Sequence, residues 1–551
     1  MKKALKSVSL ILALVLCISA FTSCSKKEEE VSNEDVGKLT YWGVLYTTSA
    51  ETLKSYNEML MYQEISKATG VDVEFIHPSA GASAASEAFQ IMLASEELPD
   101  MIEANWSTHY SGGPEQALED GVIIKLNDYL EEYAPNYYDY MEGEKGKANF
   151  NLYKKQSITT KGNYYGFKSL ASFNNKVRNY GGLYVRKDKL DEWGLDIPKT
   201  IDDWDLVFET AKKNGFERPF TTTSGVFDLT KTGINTFSGA WGVAQQYYID
   251  NGKVKYGPFE PEYKNYLAKM AEWYKKGYID PDFITNDTNE MWAALIHGKS
   301  IASYGFVGSA LGVLIPAIKE AHPNSNFELA ACPYPVLKEG EMARFSNPGV
   351  ESSDPTLAIT VQCGAKNPDR YLAAIKWADY LYSDEGAVLA TYGVEGITHT
   401  VEVNENGEKE YKYTDTIIDH EKIGAHSIDA SKYHFMRPAN APGTRYLPES
   451  LKDFYIYKEQ VDAIDVWNEN IAESKQTYWS DSTMSYTAED AGRIAEIKAN
   501  TGSDIAAGFL DIFIGKKSID EYDELIENAK KEGLGEIVEI YQKYYDIYDK
   551  Y

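Results

Sequence analysis

The chain is long and strongly acidic. It has 551 residues, of which 84 are aspartate or glutamate and 55 are lysine or arginine, so its net charge at pH 7 is −29. Such an excess of carboxylates repels phosphate backbones and anionic lipid headgroups, which argues against nucleic acids and lipid surfaces as partners. The length allows at least two domains of ordinary size.

The first 23 residues have the plan of a secretory signal peptide. Lys2, Lys3 and Lys6 precede an apolar run over 8–21, and small residues follow it. The run is shorter than the roughly 20 residues that a membrane-spanning helix needs. Residues 1–23 are therefore predicted to be an export signal that is removed.

The residues Thr22-Ser23-Cys24 resemble the lipobox of bacterial lipoproteins, in which the cysteine is acylated. The resemblance implies that Cys24 carries the lipid, palmitate included, and holds the protein on the outer face of the cytoplasmic membrane. Residues 24–38 are almost all polar or charged and are predicted to be a flexible tether. The alternative is ordinary cleavage and release.

Strand and helix patterns alternate in the first part of the chain. A strand is predicted over 39–44, a helix that ends at Gly70, a strand over 71–75, a helix over 84–95 and a strand over 101–104. This order of elements predicts a wound, mostly parallel sheet.

The alternation resumes later in the chain. Residues 183–186 read as a strand, and helices are predicted over 201–214, 261–276, 369–382 and from 485 to the C-terminus. Asn406-Gly407 lies between two alternating runs, which is the signal of a hairpin. The fold class is therefore α/β with a helix-rich C-terminal region.

The familiar catalytic and phosphate-binding motifs are missing from the chain. The glycines of 305–312 have the wrong spacing for a dinucleotide turn and are predicted to pack closely at a strand-to-helix junction. The histidines show no metal-ligand spacing. Cys332 and Cys363 either form a disulfide or stay as buried thiols, and the second is favoured because nothing brings them together. No catalytic residue, cofactor or metal is predicted.

Aromatic residues make up 13% of the chain, with 42 tyrosines and 10 tryptophans. Sugars present apolar C–H faces that stack on such rings, while their hydroxyls need polar partners. Abundant Tyr and Trp without a nucleophile favour carbohydrate binding.

Several stretches resemble the extracellular solute-binding proteins of ABC importers, of the type-1, maltose-binding-protein-like group, and most closely its large lipoprotein branch from Gram-positive bacteria. The stretches cover most of the mature chain and are Leu98-Pro99-Asp100-Met101-Ile102 to Trp106, Leu183-Tyr184-Val185-Arg186-Lys187-Asp188 to Leu195, Pro198-Lys199-Thr200-Ile201-Asp202-Asp203-Trp204, Gly277-Tyr278-Ile279-Asp280-Pro281-Asp282-Phe283, Gly298-Lys299, Tyr392-Gly393-Val394-Glu395-Gly396 and Gly515-Lys516-Lys517-Ser518-Ile519-Asp520-Glu521-Tyr522.

The resemblance implies a two-lobe periplasmic-binding-protein-like fold (type II) whose cleft holds the ligand. Mapped onto this chain, the first lobe takes 39–169 and 291–333, and the second takes 170–290 and 334–551. Open α/β sheets bind ligands beyond the carboxyl ends of their strands, which agrees with such a cleft. The implied partners are an oligosaccharide and the permease subunits of an ABC transporter, with the protein itself a monomer.

The candidate ligand-binding residues are aromatic side chains and charged side chains that could form hydrogen bonds with a ligand. The family's aromatic positions correspond to Trp106, Tyr304 and Phe306, and neighbouring loops add further rings. A glutamate and two arginines could bind hydroxyls or a carboxylate. The remaining candidates are Trp42, Tyr46, Trp241, Glu395, Arg437 and Arg445.

Two other functions stay open. A receptor for peptides or other polar solutes would use charged clamps such as Arg437 and Arg445 in place of paired aromatic platforms. A lipid-anchored glycoside hydrolase would need two carboxylates about 5 to 9.5 Å apart.

Overall fold

A computed structural model describes most of the chain after its N-terminal segment. The described residues are 36–78, 85–95, 97–148, 152–170, 179–227, 236–345, 352–365, 367–437, 441–445, 455, 457–469 and 484–551. The predicted export signal, Cys24 and most of the predicted tether lie outside these ranges. The tether ends earlier than predicted, because Val36 is already buried and its carbonyl accepts a hydrogen bond from Arg370.

The described residues form twelve strands. They are β1 Leu39–Trp42, β2 Val73–Ile76, β3 Met101–Ala104, β4 Phe167–Leu170, β5 Gly181–Arg186, β6 Tyr247–Asp250, β7 Lys253–Tyr256, β8 Ala302–Phe306, β9 Leu329–Ala331, β10 Ser352–Ile359, β11 His399–Val403 and β12 Lys409–Tyr413.

The α-helices surround these strands. They are α1 Leu60–Thr69, α2 Ala85–Leu93, α3 Trp106–His109, α4 Gly113–Glu119, α5 Leu130–Tyr133, α6 Pro135–Met141, α7 Glu144–Ala148, α8 Leu152–Lys155, α9 Lys187–Trp193, α10 Ile201–Lys213, α11 Pro261–Lys275, α12 Thr288–Ile296, α13 Gly312–Ala321, α14 Asp369–Tyr380, α15 Asp384–Tyr392, α16 Asp415–Ile418, α17 Ile428–Phe435, α18 Lys458–Glu469, α19 Ala488–Phe513, α20 Tyr522–Ala529 and α21 Gly535–Tyr548.

Local signals in the sequence explain several helix ends. Helix α1 stops at Gly70, whose φ of 69° suits a residue without a Cβ. Helix α10 begins with a capping box in which Thr200 and Asp203 satisfy each other's backbone amides. Most of the predicted elements are confirmed, but the C-terminal helix is divided into α19, α20 and α21.

The first lobe is built on a five-stranded sheet in the order β2-β1-β3-β10-β4. Strand β1 pairs in parallel with β2 and β3, as the alternation of strands and helices predicts. Strand β10 returns from a distant part of the sequence and lies antiparallel between β3 and β4. The carboxyl ends of β1, β3 and β4 therefore share one edge of the sheet.

The second lobe is built on a three-stranded antiparallel sheet in the order β8-β5-β9. Phe220 extends it through a parallel bridge to Ala302. Helix α18 packs on this sheet, where its Trp467 indole lies over Gly182. A Cβ at Gly182 would lie 2.5 Å from the indole ring, so only glycine allows this approach.

The strand pairing corrects the predicted division of the chain. Residues 291–333 belong to the second lobe, because β8 and β9 both pair with β5. Residues 352–445 belong to the first lobe, because β10 joins the first sheet and helices α14 and α15 pack on α1. The sequence shows that these segments are strands and helices but not which sheet edge accepts them.

Along the described ranges, the chain changes lobe between Leu170 and Asn179, between Phe345 and Ser352, and between Arg445 and Tyr455. Strand β4 precedes the first of these crossings, and strand β10 follows the second. A buried ion pair links the two strands, with Lys168 Nζ 3.4 Å from Asp354 Oδ1. Burial alone would lower the pKa of Lys168, but Asp354 reverses the effect and the pKa is raised.

A second buried ion pair fixes the end of the 352–445 segment in the first lobe. Arg437 Nη2 donates to Glu103 Oε1 at 2.7 Å, and Nη1 donates to Glu103 Oε2 at 3.1 Å and to Tyr62 Oη at 2.6 Å. The guanidinium carbon also lies 4.4 Å from the Tyr56 ring centroid. Burial by itself would lower the pKa of Arg437, but Glu103 and the tyrosines raise it above its usual value.

Breaking this pair should destabilise the first lobe strongly. We expect Glu103→Gln to cost about 3 to 5 kcal/mol, because it leaves the Arg437 cation buried without a counter-charge. Combining Glu103→Leu with Arg437→Met should restore most of the loss, since no charge then remains buried. Urea unfolding of the mature protein measures both effects.

The control is Glu402→Gln, which removes an exposed partner of Lys412 and should change stability by less than about 1 kcal/mol. Equal, small losses for Glu103→Gln and Glu402→Gln would contradict a structural role of the buried pair.

Candidate functional site

The strand ends of both lobes converge on helix α17. From the first lobe, the chain beyond β1 brings Tyr46 against Tyr433, edge to face with ring centroids 5.8 Å apart. From the second lobe, the turn after β8 brings Gly308 so close that a Cβ there would lie 3.0 Å from Asp429 Oδ2. We call this place the α17 junction and define it by Tyr46, Gly308, Tyr413, Asp429, Lys432, Tyr433, Arg445 and Tyr455.

Helix α17 presents its polar residues on one face. Its N-cap Ser427 accepts a hydrogen bond from the Ala430 amide, which fixes the first turn. Asp429, Lys432 and Tyr433 then follow at spacings of three and four residues, which places them side by side on a helix.

The Lys432 ammonium is buried at the centre of the junction. Its side chain is 1% exposed, and Nζ lies 3.1 Å from Asp429 Oδ1. The same Nζ lies 5.2 Å from the Tyr413 ring centroid and 5.9 Å from that of Tyr455. Burial lowers the pKa of Lys432 to about 8 in spite of the attraction of Asp429.

The Arg445 guanidinium lies among tyrosine rings. It interacts electrostatically with Tyr433, Tyr413 and Tyr455, and Nη2 donates to the backbone carbonyl of Arg437. Burial lowers its pKa below the ordinary value. No Asp or Glu of the described ranges forms an ion pair with Arg445.

The tyrosine hydroxyls of the junction are neutral. Burial raises the pKa of Tyr433 to about 12 and those of Tyr413 and Tyr455 well above their usual value. The Tyr413 hydroxyl donates to the Thr391 carbonyl at 2.7 Å. A neutral phenol both donates and accepts hydrogen bonds, as binding to sugar hydroxyls requires.

Each lobe has one exposed ring on the chain that leads to the junction: Tyr46 contacts Tyr433, and Phe306 lies two residues before Gly308. Tyr46 is 39% exposed in the first lobe, and Phe306 is 42% exposed at the end of β8 in the second. Phe306 pairs with Gly181 at the strand end nearest the first crossing. Its neighbour Tyr304 is buried, with its ring centroid 5.9 Å from that of Phe306.

Two predicted site residues are core residues of the first lobe. Trp42 and Trp106 are buried and pack edge-on against Phe89 of α2, at 6.1 Å and 5.2 Å between ring centroids. Trp106 Nε1 donates to the Thr356 carbonyl at 3.2 Å. Both rings therefore stabilise the contact between the sheet and α2 and expose no face to a ligand.

The other predicted residues are not part of the junction. Trp241 is half-buried in the second lobe against Tyr266, with ring centroids 5.7 Å apart. Glu395 is exposed and lines an open depression with Lys67 and Lys409. Arg437 already has its partner in Glu103, so its main role is structural.

The sequence prediction missed Asp429, Lys432, Tyr433, Tyr413 and Tyr455. The only local signal was the polar face of a short capped helix, which is common on protein surfaces. The junction can bind a polar ligand with rings, hydroxyls and cations. Asp429 is the carboxylate that the described residues bring to the junction.

The comparisons with known proteins agree with a two-lobe binding protein. The family model described as bacterial extracellular solute-binding protein matches residues 49–388. The fructooligosaccharide ABC transporter substrate-binding protein FusA of Streptococcus pneumoniae is 23% identical over 527 residues, which cover 90% of this chain and 88% of that protein. The polygalacturonan/rhamnogalacturonan-binding protein YtcQ of Bacillus subtilis is 22% identical over 322 residues, with coverages of 56% and 57%.

The fold is also that of solved structures. An extracellular solute-binding protein from Bifidobacterium longum subsp. infantis superposes with a TM-score of 0.67 at 19% identity, covering 93% of this chain and 98% of that one. Because the family model spans more than half of the sequence, the assignment does not depend on any single relative. The chain belongs to the bacterial extracellular solute-binding protein family.

Proposed function

We propose that the protein is the receptor of an ABC importer and captures an extracellular oligosaccharide at the α17 junction. The observation that carries this proposal is that both lobes reach one cluster of hydroxyls and charges, the first through the exposed Tyr46 and the second through Gly308, two residues after the exposed Phe306. Two such rings can stack on a sugar from opposite sides when the lobes close. The names of FusA and YtcQ support a carbohydrate ligand.

Lobe closure would report occupancy to the permease. The three crossings between the lobes permit a hinge movement, and a ligand that contacts both lobes stabilises the closed form by its difference in affinity. A peptide receptor is the alternative, because Arg445 could bind a terminal carboxylate. A glycoside hydrolase is the more distant one and would release products from a bound sugar.

We further propose that Cys24 carries the lipid that holds the receptor at the outer face of the membrane. The relative LipO of Bacillus subtilis, 22% identical over 366 residues, is named a lipoprotein, which supports this reading of the N-terminal segment.

Binding should raise thermal stability. A protein that binds a sugar only in its native state unfolds at a higher temperature, by mass action. We expect the mature protein without lipid to show a higher unfolding midpoint with one class of oligosaccharide, and no products after long incubation. A shift with peptides alone would contradict the carbohydrate proposal, and sugar cleavage would favour the hydrolase.

Removing either exposed ring should weaken binding. Tyr46→Ala and Phe306→Ala should each cost about 1 kcal/mol of binding free energy, the order of magnitude of a ring contact. The matched control is Tyr133→Ala, because Tyr133 is 37% exposed on α5 and away from the junction. Isothermal titration calorimetry measures the three affinities. Equal affinities for all three variants would move the binding site elsewhere.

Cys24→Ser should release the receptor from the cell. Without the thiol no lipid can be attached, so we expect the protein to move from the membrane fraction to the medium or to stay unprocessed. Detergent phase partitioning of the expressed chain measures the change. Retention of the serine variant in the detergent phase would show that another segment is the anchor.

A further inference from the structure

We propose that the α17 junction selects oligosaccharides that carry a carboxylate, as uronic acids do, and that Arg445 binds this group. The inference rests on the proposed function, since it names the class of sugar that the same site takes.

The first support is the charge of the junction. Lys432 and Arg445 bring two cations, and Asp429, 3.1 Å from Lys432 Nζ, brings one carboxylate. The nearby Arg437 is already neutralised by Glu103. Among the described residues of the junction, positive charges therefore outnumber negative ones by one, although the whole chain has a net charge of −29.

The second support is the pairing of the individual groups. Lys432 donates a hydrogen bond to Asp429. Within the described ranges, Arg445 donates to the Arg437 carbonyl and interacts electrostatically with three tyrosines. Those tyrosines cannot supply a negative charge at neutral pH, because burial raises the pKa of each. Arg445 is partly buried, and a desolvated cation without a counter-charge among the described residues is costly. An anionic ligand removes this cost.

The third support is the shape of the donor. Arginine presents a planar fork of N–H groups that matches both oxygens of a carboxylate. Arg445 uses one nitrogen toward the Arg437 carbonyl and keeps further donors. The exposed ring of Tyr46 touches Tyr433, one of the tyrosines around Arg445, so a sugar stacked on Tyr46 would have its substituents near the guanidinium.

The test compares acidic sugars with their neutral counterparts. The probes are trimers of galacturonate, mannuronate and glucuronate, each paired with the same trimer after reduction of its carboxyl groups to alcohols. Calorimetric titration of the mature protein at fixed ionic strength gives the dissociation constants. We expect one acidic trimer to bind about 10- to 100-fold tighter than its reduced form. The reason is that a charge-assisted hydrogen bond to the carboxylate replaces a neutral hydrogen bond to the alcohol.

Variants of Arg445 separate charge from shape. Arg445→Gln should weaken binding of the acidic trimer far more than binding of the reduced one, so that the preference for the acidic trimer is lost, and Arg445→Lys should keep only part of the preference. Arg493→Gln is the control, because Arg493 is an exposed arginine that pairs with Glu536 on the C-terminal helices. The unfolding midpoint of unliganded Arg445→Gln should be unchanged or higher, since a costly buried charge is removed.

The outcomes distinguish the two proposals. Equal or tighter binding of the reduced trimers, or an unchanged preference in Arg445→Gln, would overturn the carboxylate site and leave the sugar receptor standing. Binding of a tripeptide with a free carboxyl end, with no sugar bound, would overturn both. If folded wild-type protein bound neither these trimers nor any neutral oligosaccharide, the proposed function itself would fail.

Discussion

The buried pair of Glu103 and Arg437 determines where the ligand site can form. Glu103 lies at the end of β3, and Arg437 follows α17 by two residues, so their ion pair ties α17 to the edge of the first sheet. The crossing after Arg445 then leads to the second lobe. The α17 junction thus depends on one charge pair in the core of the first lobe, because that pair places Asp429, Lys432 and Tyr433 beside the strand ends.

The electrostatics of the junction follow from burial within an acidic protein. Carboxylates are abundant on the surface, yet Arg445 has no acidic partner within the described ranges and Lys432 shares a single one. Low solvent exposure makes such charges sensitive to any ligand that replaces water. A receptor with these properties would distinguish ligands by charge as well as by shape. An anionic ligand that neutralises Arg445 would favour its closed form.

The sequence predicted the class of fold well, because the periodic strands and helices of 39–104 leave few alternatives. It did not predict which sheet β8 and β9 join, because the residues of a strand do not indicate the strand with which it pairs. Among the predicted site residues, Tyr46 and Arg445 lie at the junction, and Phe306 lies two residues before Gly308 on the chain that enters it. Trp42 and Trp106 do not, because a tryptophan after a strand packs equally well against a helix behind the sheet. Residues on α17 escaped prediction because the contacts that join them to the two lobes, Tyr46 with Tyr433 and Gly308 with Asp429, link residues more than 100 positions apart in the sequence.

Hydrogen exchange with and without a bound oligosaccharide tests the central claim most directly. Capture at the α17 junction predicts slower exchange in two separate stretches, the amides of α17 in the first lobe and those following β8 in the second, because the ligand contacts both. Protection confined to the depression that Glu395 lines, or to one lobe alone, would contradict the account.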